Sequence, residues 1–285
     1  MRAPRLLRAA LLASTALLPA TALAQRPGGG SVQAGSATID QTDPARTQVT
    51  QTSDRAVINW TTFNIGGTHH VNIDQPAASS WSLQRVTAPD PSTIAGRLTS
   101  NGGVAIVNRS GITFAAGAQV DVASLIATTS DITNGNFMAG VMAFDGAPNP
   151  GARVENRAGS TITVREQGLA ALVGPVVANA GVIRARLGRV ALAGGAERFT
   201  LDLAGDGLLS IDVTQQVSTG PGGGVALVTN TGTIEADGGS ILLSATAASG
   251  VVERLVSAGG TIRADTLPPA AAGQAERRGT IAVRG

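Results

Sequence analysis

The 285-residue chain contains no cysteine, tyrosine or lysine, and its few aromatic side chains are two Trp and five Phe. Without cysteine no disulfide can form, so even in an oxidising compartment the chain carries no covalently closed loop. Without lysine, a Walker-type phosphate loop and Schiff-base chemistry are excluded. Almost nothing titrates between neutral pH and the arginine range, so the sequence pI near 10.7 says little about partners. The shortage of rings argues against a wide globular core. What is present, 43% hydrophobic residues and 37 glycines, fits many thin layers filled by Val, Ile, Leu and Ala and joined by frequent corners.

Residues 1–24 combine a basic start, the apolar run L-L-A-S-T-A-L-L-P-A and Ala22-Leu23-Ala24 ahead of Gln25. This is the layout of a secretory signal peptide, cut between Ala24 and Gln25. The alternative, a membrane anchor, is disfavoured because the run falls short of the ~20 residues a span needs. Removing Arg2, Arg5 and Arg8 with the leader leaves 18 basic against 19 acidic residues, a net charge of −1. With no arginine cluster in the sequence, a nucleic-acid partner is not expected.

Residues 101–131 alternate short apolar runs with corners bearing Gly and Asn, and no helical period is present. Val104, Ile106, Ile112, Phe114, Val120 and Val122 recur at two-residue spacing within their runs. That spacing predicts short strands joined by tight turns, each strand pointing one set of side chains inward.

Here the chain resembles the N-terminal secretion domain of filamentous-haemagglutinin-type exoproteins, the large substrates of bacterial two-partner secretion. The family's N-P-N-G-I is N-R-S-G-I in this chain: Asn108, Gly111 and Ile112 are kept, while Arg109 and Ser110 replace the proline and the second Asn. Further blocks resemble the same family: V-I-N-W-T-T-F-N-I-G at 57–66, V-N-I-D-Q-P at 71–76, L-Q-R-V at 83–86 and P-S-T-I-A-G-R-L at 91–98. Gln84 stands where Asn is usual. So many blocks in order are more specific than any one of them.

The resemblance implies an all-β fold, a right-handed parallel β-helix (solenoid) with an N-terminal cap and extra-helical strands. It also implies export through the general secretion machinery and the periplasm, then recognition by an outer-membrane β-barrel transporter with periplasmic receptor domains. The product would be secreted or held at the surface of a Gram-negative cell. Asn59, Trp60, Phe63, Asn64, Asn108, Gly111 and Ile112 are the residues it points to for transporter recognition or the motif turn. The expected division is a signal peptide (1–24), a cap and first coils (25–150), and further coils (151–285) that continue in a longer natural protein. Six of the seven aromatics precede residue 145, which suits an N-terminal cap, since a solenoid's first layer otherwise exposes apolar surface and a free strand edge.

From residue 153 a phrase returns: V-E-N-R-A-G-S-T-I-T-V, V-A-N-A-G-V-I-R-A, V-T-N-T-G-T-I-E-A and V-S-A-G-G-T-I-R-A, with glycines at 159, 181, 232 and 259. The spacings of 22, 51 and 27 suit coils in the low twenties of residues, the 51 reading as two coils. At ~22 residues per coil and ~4.8 Å per stacked strand, the mature chain would form ~11 coils. An antiparallel β-sandwich is the alternative, but it does not explain the recurring phrase.

Catalytic constellations are sparse. His69 and His70 are the only histidines; adjacent in an extended segment they point to opposite faces, so they read as surface or turn residues that do not share a metal. No G-x-S-x-G elbow is present. Asp202, Asp206 and Asp212 match neither an EF-hand nor a nonapeptide calcium repeat, and Gly205-Asp206-Gly207 reads as a turn. No cofactor, metal or enzymatic activity is therefore expected. A polysaccharide-cleaving β-helix enzyme and an adhesin that binds host cell surface or glycans directly remain the alternatives.

Overall fold

The computed structural model describes residues 25–202, 210–217, 226–247, 252, 254–269 and 275–285. The leader with Ala24, and Asp206 with its two flanking glycines, lie outside the described residues.

The chain opens with β1 (Ser31–Ala34), β2 (Ala37–Asp40), β3 (Arg46–Gln51) and β4 (Arg55–Trp60). β1 lies antiparallel on β4 and β2 antiparallel on β3, which caps the first layer. The next coils are β5 (His70–Asp74), β6 (Trp81–Val86) and β7 (Ser92–Ile94), then β8 (Arg97–Ser100), β9 (Gly103–Val107) and β10 (Ile112–Phe114). β11 (Gln119–Val122) and β12 (Ser124–Thr128) begin a fourth coil, which an excursion interrupts: β13 (Asp131–Ile132), α1 (Asn134–Ala139) and β14 (Ala143–Gly146). β15 (Arg153–Asn156) completes it. A fifth coil holds β16 (Thr161–Val164), β17 (Leu169–Val173) and β18 (Val176–Asn179). β19 (Val182–Arg184) and β20 (Arg189–Gly194) are followed by a second excursion, the hairpin β21 (Ala196–Asp202) and β22 (Ser210–Gln216), before β23 (Val228–Asn230). The last coils contribute β24 (Thr233–Glu235), β25 (Ser240–Ala245) and β26 (Val256–Ala258), then β27 (Thr261–Arg263) and β28 (Thr280–Arg284).

Equivalent strands stack into three sheets: a first from β3 to β27, a second from β4 to β28 and a third from β7 to β26. From β3 onward every ladder in these sheets is parallel, for example β11 on β16, β12 on β17 and β15 on β18. The fold is a parallel β-helix. A fourth, antiparallel sheet of β13, β14, β21 and β22 lies outside it.

Three expectations are corrected. The first sheet's nine strands are the antiparallel β2 and eight parallel rungs, not eleven coils, because the two excursions consume chain without adding rungs. The 51-residue spacing is a single coil: Asn179 and Gly181 stack directly on Asn230 and Gly232, and the residues between them include the outward hairpin. The glycine column runs through 181, 232 and 260, with Ser160 in the fourth place, since Thr161 pairs with Val182 and Thr233 with Thr261. Among the described residues one short helix also occurs. Thr133 Oγ1 accepts from the Asn136 amide at its start, and Gly140 at φ 79 ends it.

Sequence pattern decides which sheet faces what. Strands of the first sheet alternate, as in Q-V-D-V and T-I-T-V, with only one face buried. Strands of the second sheet, G-V-A-I-V and L-A-A-L-V, are buried throughout, as expected where both faces are covered. Their inward residues Ile106, Leu125, Leu172 and Leu192 join the coil interior. Their outward residues Val107, Ile126, Ala171 and Ala193 pack under the fourth sheet with Ile132, Phe137, Phe144, Phe199 and Leu201. Phe144 and Phe199 stack at 4.6 Å with planes 10° apart.

The third sheet carries a buried polar column. In register with Ile94 and Phe114 come Asn156, Asn179 and Asn230. Asn156 donates to Asn179 Oδ1 and Asn179 to Asn230 Oδ1, each at 2.7 Å. Their backbone carbonyls accept the corner amides of the following coil.

Candidate functional site

The residues singled out near the N-terminus fall into three neighbourhoods. Trp60 and Phe63 lie inside the first coil, fully buried, with ring centroids 5.6 Å apart. Trp60 Nε1 donates to Gln84 Oε1 at 2.8 Å, and Gln84 Nε2 donates to Ser82 Oγ at 2.8 Å. The glutamine that replaces the usual Asn thus satisfies the indole N–H, which would otherwise be stranded in the core.

Asn64, Asn108, Gly111 and Ile112 converge on β7. Asn64 Oδ1 accepts from the Thr93 amide at 2.7 Å. Asn108, fully buried, donates to the Asp90 carbonyl at 3.0 Å and to Ser92 Oγ at 2.9 Å, and its Oδ1 accepts the Ser110 amide at 2.9 Å. Gly111 donates to the Asn108 carbonyl and accepts from the Ser92 amide, both at 3.0 Å. Ile112 pairs with Ser92 on one side and Val154 on the other. Gly111 sits at φ +124, and an added Cβ would lie 3.1 Å from the Arg153 carbonyl oxygen, so the corner needs glycine for its backbone angle and for space. The asparagine, expected to serve its own turn, also fastens that turn to the preceding coil.

Arg109 and Ser110 face the first excursion. Arg109 Nε donates to the Ala147 carbonyl at 2.7 Å, its carbonyl accepts from the Asn149 amide at 2.8 Å, and Ser110 Oγ accepts from Asn149 Nδ2 at 2.9 Å.

Asn59 belongs elsewhere, on the outer side of β4. Its Oδ1 accepts from Arg85 Nη1 at 3.2 Å. Arg85 also reaches Asp131 at 2.7 Å, Asn134 Oδ1 at 2.7 Å and the Ile132 carbonyl. This arginine, together with Arg55, whose guanidinium lies 5.5 Å from the Phe137 ring centre and donates to the Phe137 carbonyl, pins the excursion to the first coils. Arg85 was legible as a charge inside the L-Q-R-V block; its partners lie 46 and 49 residues away and carry no local signal.

Of the two histidines, His69 is not the surface residue expected. His69 is 1% exposed, with Nε2 2.9 Å from Thr47 Oγ1. Burial pushes its pKa below the ordinary imidazole value; Arg26 adds to this, while the Pro44 carbonyl and Asp43 oppose it. His70 is half-buried on the opposite face, with Nε2 2.7 Å from Thr99 Oγ1, and burial, then Arg97, Arg46 and His69, lower its pKa. Asp202 and Asp212 stand on β21 and β22 of the outer hairpin. Among the described residues no group of three or more His, Cys, Asp or Glu could hold a metal ion.

Comparison with known proteins gives a consistent result. A family model described as the TPS secretion domain matches residues 25–279. A heme/hemopexin-binding protein of Haemophilus influenzae is 38% identical over 98 residues, 34% of this chain and 11% of that protein. The chain thus spans about a tenth of the length of the curated relatives it matches. Among solved structures, the HMW1 secretion domain from Haemophilus influenzae superposes with TM-score 0.73 at 28% identity, covering 90% of this chain and 62% of that one. The filamentous hemagglutinin secretion domain gives TM-score 0.52 at 14% identity, covering 91% and 99%, a likeness of fold alone.

Proposed function

The chain belongs to the TPS secretion-domain family, and from that membership we propose that its cap and first three coils carry the signal read by the cognate transporter. Two-partner-secretion exoproteins cross the outer membrane of Gram-negative bacteria, so the chain is a secreted or surface protein with an outer-membrane transporter as partner. The finer reading is that the general secretion machinery delivers it to the periplasm, where receptor domains of a β-barrel transporter bind an extended segment by strand addition. Coil-by-coil folding outside the cell then opposes back-sliding. In this reading the chain is a scaffold without catalytic activity.

The observation that carries the proposal is the junction at β7, where Asn64 from one family block and Asn108 and Gly111 from another meet the three-residue strand of a third. Residues brought to one place by three coils suit a signal that must be intact in both sequence and fold. The test is co-expression of variants with the transporter, comparing secreted with periplasmic amounts. Gly111→Val, forced into a backbone region that costs about 1–3 kcal/mol, should lose most of its secreted fraction. Asp212→Ala, exposed on the outer hairpin, should be exported normally. Gly232→Ala supplies comparable destabilisation far from β7. Export lost equally in Gly111→Val and Gly232→Ala would refute recognition at the N-terminal coils.

A further inference from the structure

The cap is closed over the first coil by a chain of side-chain hydrogen bonds that ends on a buried histidine. Arg26 Nη1 donates to the Gln41 carbonyl at 3.0 Å, and Gln41 Nε2 donates to the Pro27 carbonyl at 2.7 Å and to Thr47 Oγ1 at 3.0 Å. Thr47 Oγ1 in turn meets His69 Nε2 at 2.9 Å. Water reaches neither partner: Thr47 is 0% and His69 1% exposed. Backbone contacts fasten the same strip, Gly28 donating to the Thr62 carbonyl, Gly66 to the Gln25 carbonyl and His70 to the Ala45 carbonyl. Gly30 lies against the Trp60 ring, where an added Cβ would stand 2.5 Å from it. Residues 25–30 and the 41–45 turn thus share one anchor, with the tryptophan of the first coil beneath them.

The donors fix where the protons sit. Gln41 donates to Thr47, so among the described residues the acceptor for the Thr47 hydroxyl proton is His69 Nε2, and the neutral ring carries its proton on Nδ1. A second proton would turn Nε2 into a donor facing a donor and would set a charge where water does not reach. Burial opposes the charged ring most, and Arg26 on the N-terminal segment adds to it; Asp43, in the turn before β3, opposes both. The nearby Pro44 carbonyl also favours the charged ring, without closing a hydrogen bond of good geometry to Nδ1. On the opposite face of the sheet stand His70 of β5, Arg46 of β3 and Arg97 of β8, in one register.

We propose that His69 is the pin of an acid-released latch: the neutral ring holds residues 25–30 and the 41–45 turn on the first coil, and its protonation frees them and uncovers Trp60 while the parallel coils stay folded. The latch is fully shut above the imidazole value of the open state, about 6.5, and loosens as pH falls below it. Uptake of one proton on opening raises the open population by up to tenfold per pH unit, or about tenfold between pH 7.5 and 5.5. This inference is independent of the transporter reading.

The test is amide hydrogen exchange of the purified chain at pH 7.5 and 5.5, with rates corrected for the intrinsic effect of pH. The corrected rates of Gly28, Thr62, Gly66 and His70 should rise about tenfold at the lower pH, and those of β12 and β17 should not change. His69→Gln, which keeps a side-chain acceptor, should remove the rise, whereas His70→Gln should retain it. Asp43→Asn leaves His69 and its partners untouched and should move the onset to lower pH, because a charge that favours the protonated ring is gone. No rise at the latch, an equal rise throughout the coils, a rise that persists in His69→Gln, or an onset at higher pH in Asp43→Asn would overturn the proposal.

Discussion

Replacing Asn179 with Ala should destabilise the β-helix by about 2–4 kcal/mol. The side chain is buried, accepting from Asn156 Nδ2 and donating to Asn230 Oδ1, both at 2.7 Å. Alanine strands one donor above and one acceptor below where water does not reach, and each stranded partner costs about 1–3 kcal/mol. Two such groups set a range of about 2–6 kcal/mol; the Val182 carbonyl, 3.5 Å from Asn156 Nδ2, pulls the result toward its lower half. The whole column replaced together, Asn156→Val with Asn179→Val and Asn230→Val, should cost less than the sum of the single changes, because no asparagine amide is then left facing an apolar neighbour in the column. Equilibrium urea unfolding followed by far-UV circular dichroism measures each difference. A loss below about 0.5 kcal/mol for Asn179→Ala, less than one ordinary hydrogen bond, or strict additivity in the triple variant, would refute the reasoning.

Gly232→Ala should cost about 1–3 kcal/mol, typical of overpacking, because its Cβ would stand 2.1 Å from the Gly181 carbonyl oxygen, whereas Gly259→Ala, with nothing within 4 Å, should melt like the parent chain. Stability should fall as pH drops below about 6.5, the unfolded imidazole value: His69 has a folded pKa below it, so the unfolded state takes the proton first. In His69→Asn that part of the pH dependence in urea midpoints should disappear. Mass spectrometry of exported protein should find Gln25, or its cyclised form, as the first residue.

The solenoid was legible because its signals are local. Period-two alternation and a recurring Asn-Gly phrase need only a few residues to be visible, and each coil repeats them. The excursions were not legible for the same reason. F-T-L-D-L and S-I-D-V look like any rung in alternation, and only their partners, Phe144 and each other rather than the next coil, place them outside. A clue was nevertheless present in the second sheet. Runs such as L-A-A-L-V lack a polar face, and a strand apolar on both sides requires a second layer to cover it. The burial of His69 was hidden by its position beside His70 in an extended segment: alternation predicts that one of the two points inward, but not which one, nor that Thr47 waits there to receive it.

The corner at 108–112 shows how a departure from a family pattern can be read physically. A proline at 109 would fix φ without a side-chain hydrogen bond; Arg109 instead reaches the Ala147 carbonyl, and Ser110 takes the Asn149 side chain. What this corner lacks in intrinsic rigidity is offset by attachment to the chain returning from the excursion, while Asn108 holds it to the coil before. The corner is thus fixed from two sides, so its stability depends on residues almost 40 positions downstream. In Arg109→Ala, amide hydrogen exchange should speed up across 147–149, which loses the guanidinium contact, and stay unchanged at Gly111, whose amide is held by the Asn108 carbonyl. The retained Asn108 and Gly111 define the turn, and the replaced residues determine what the turn is tied to.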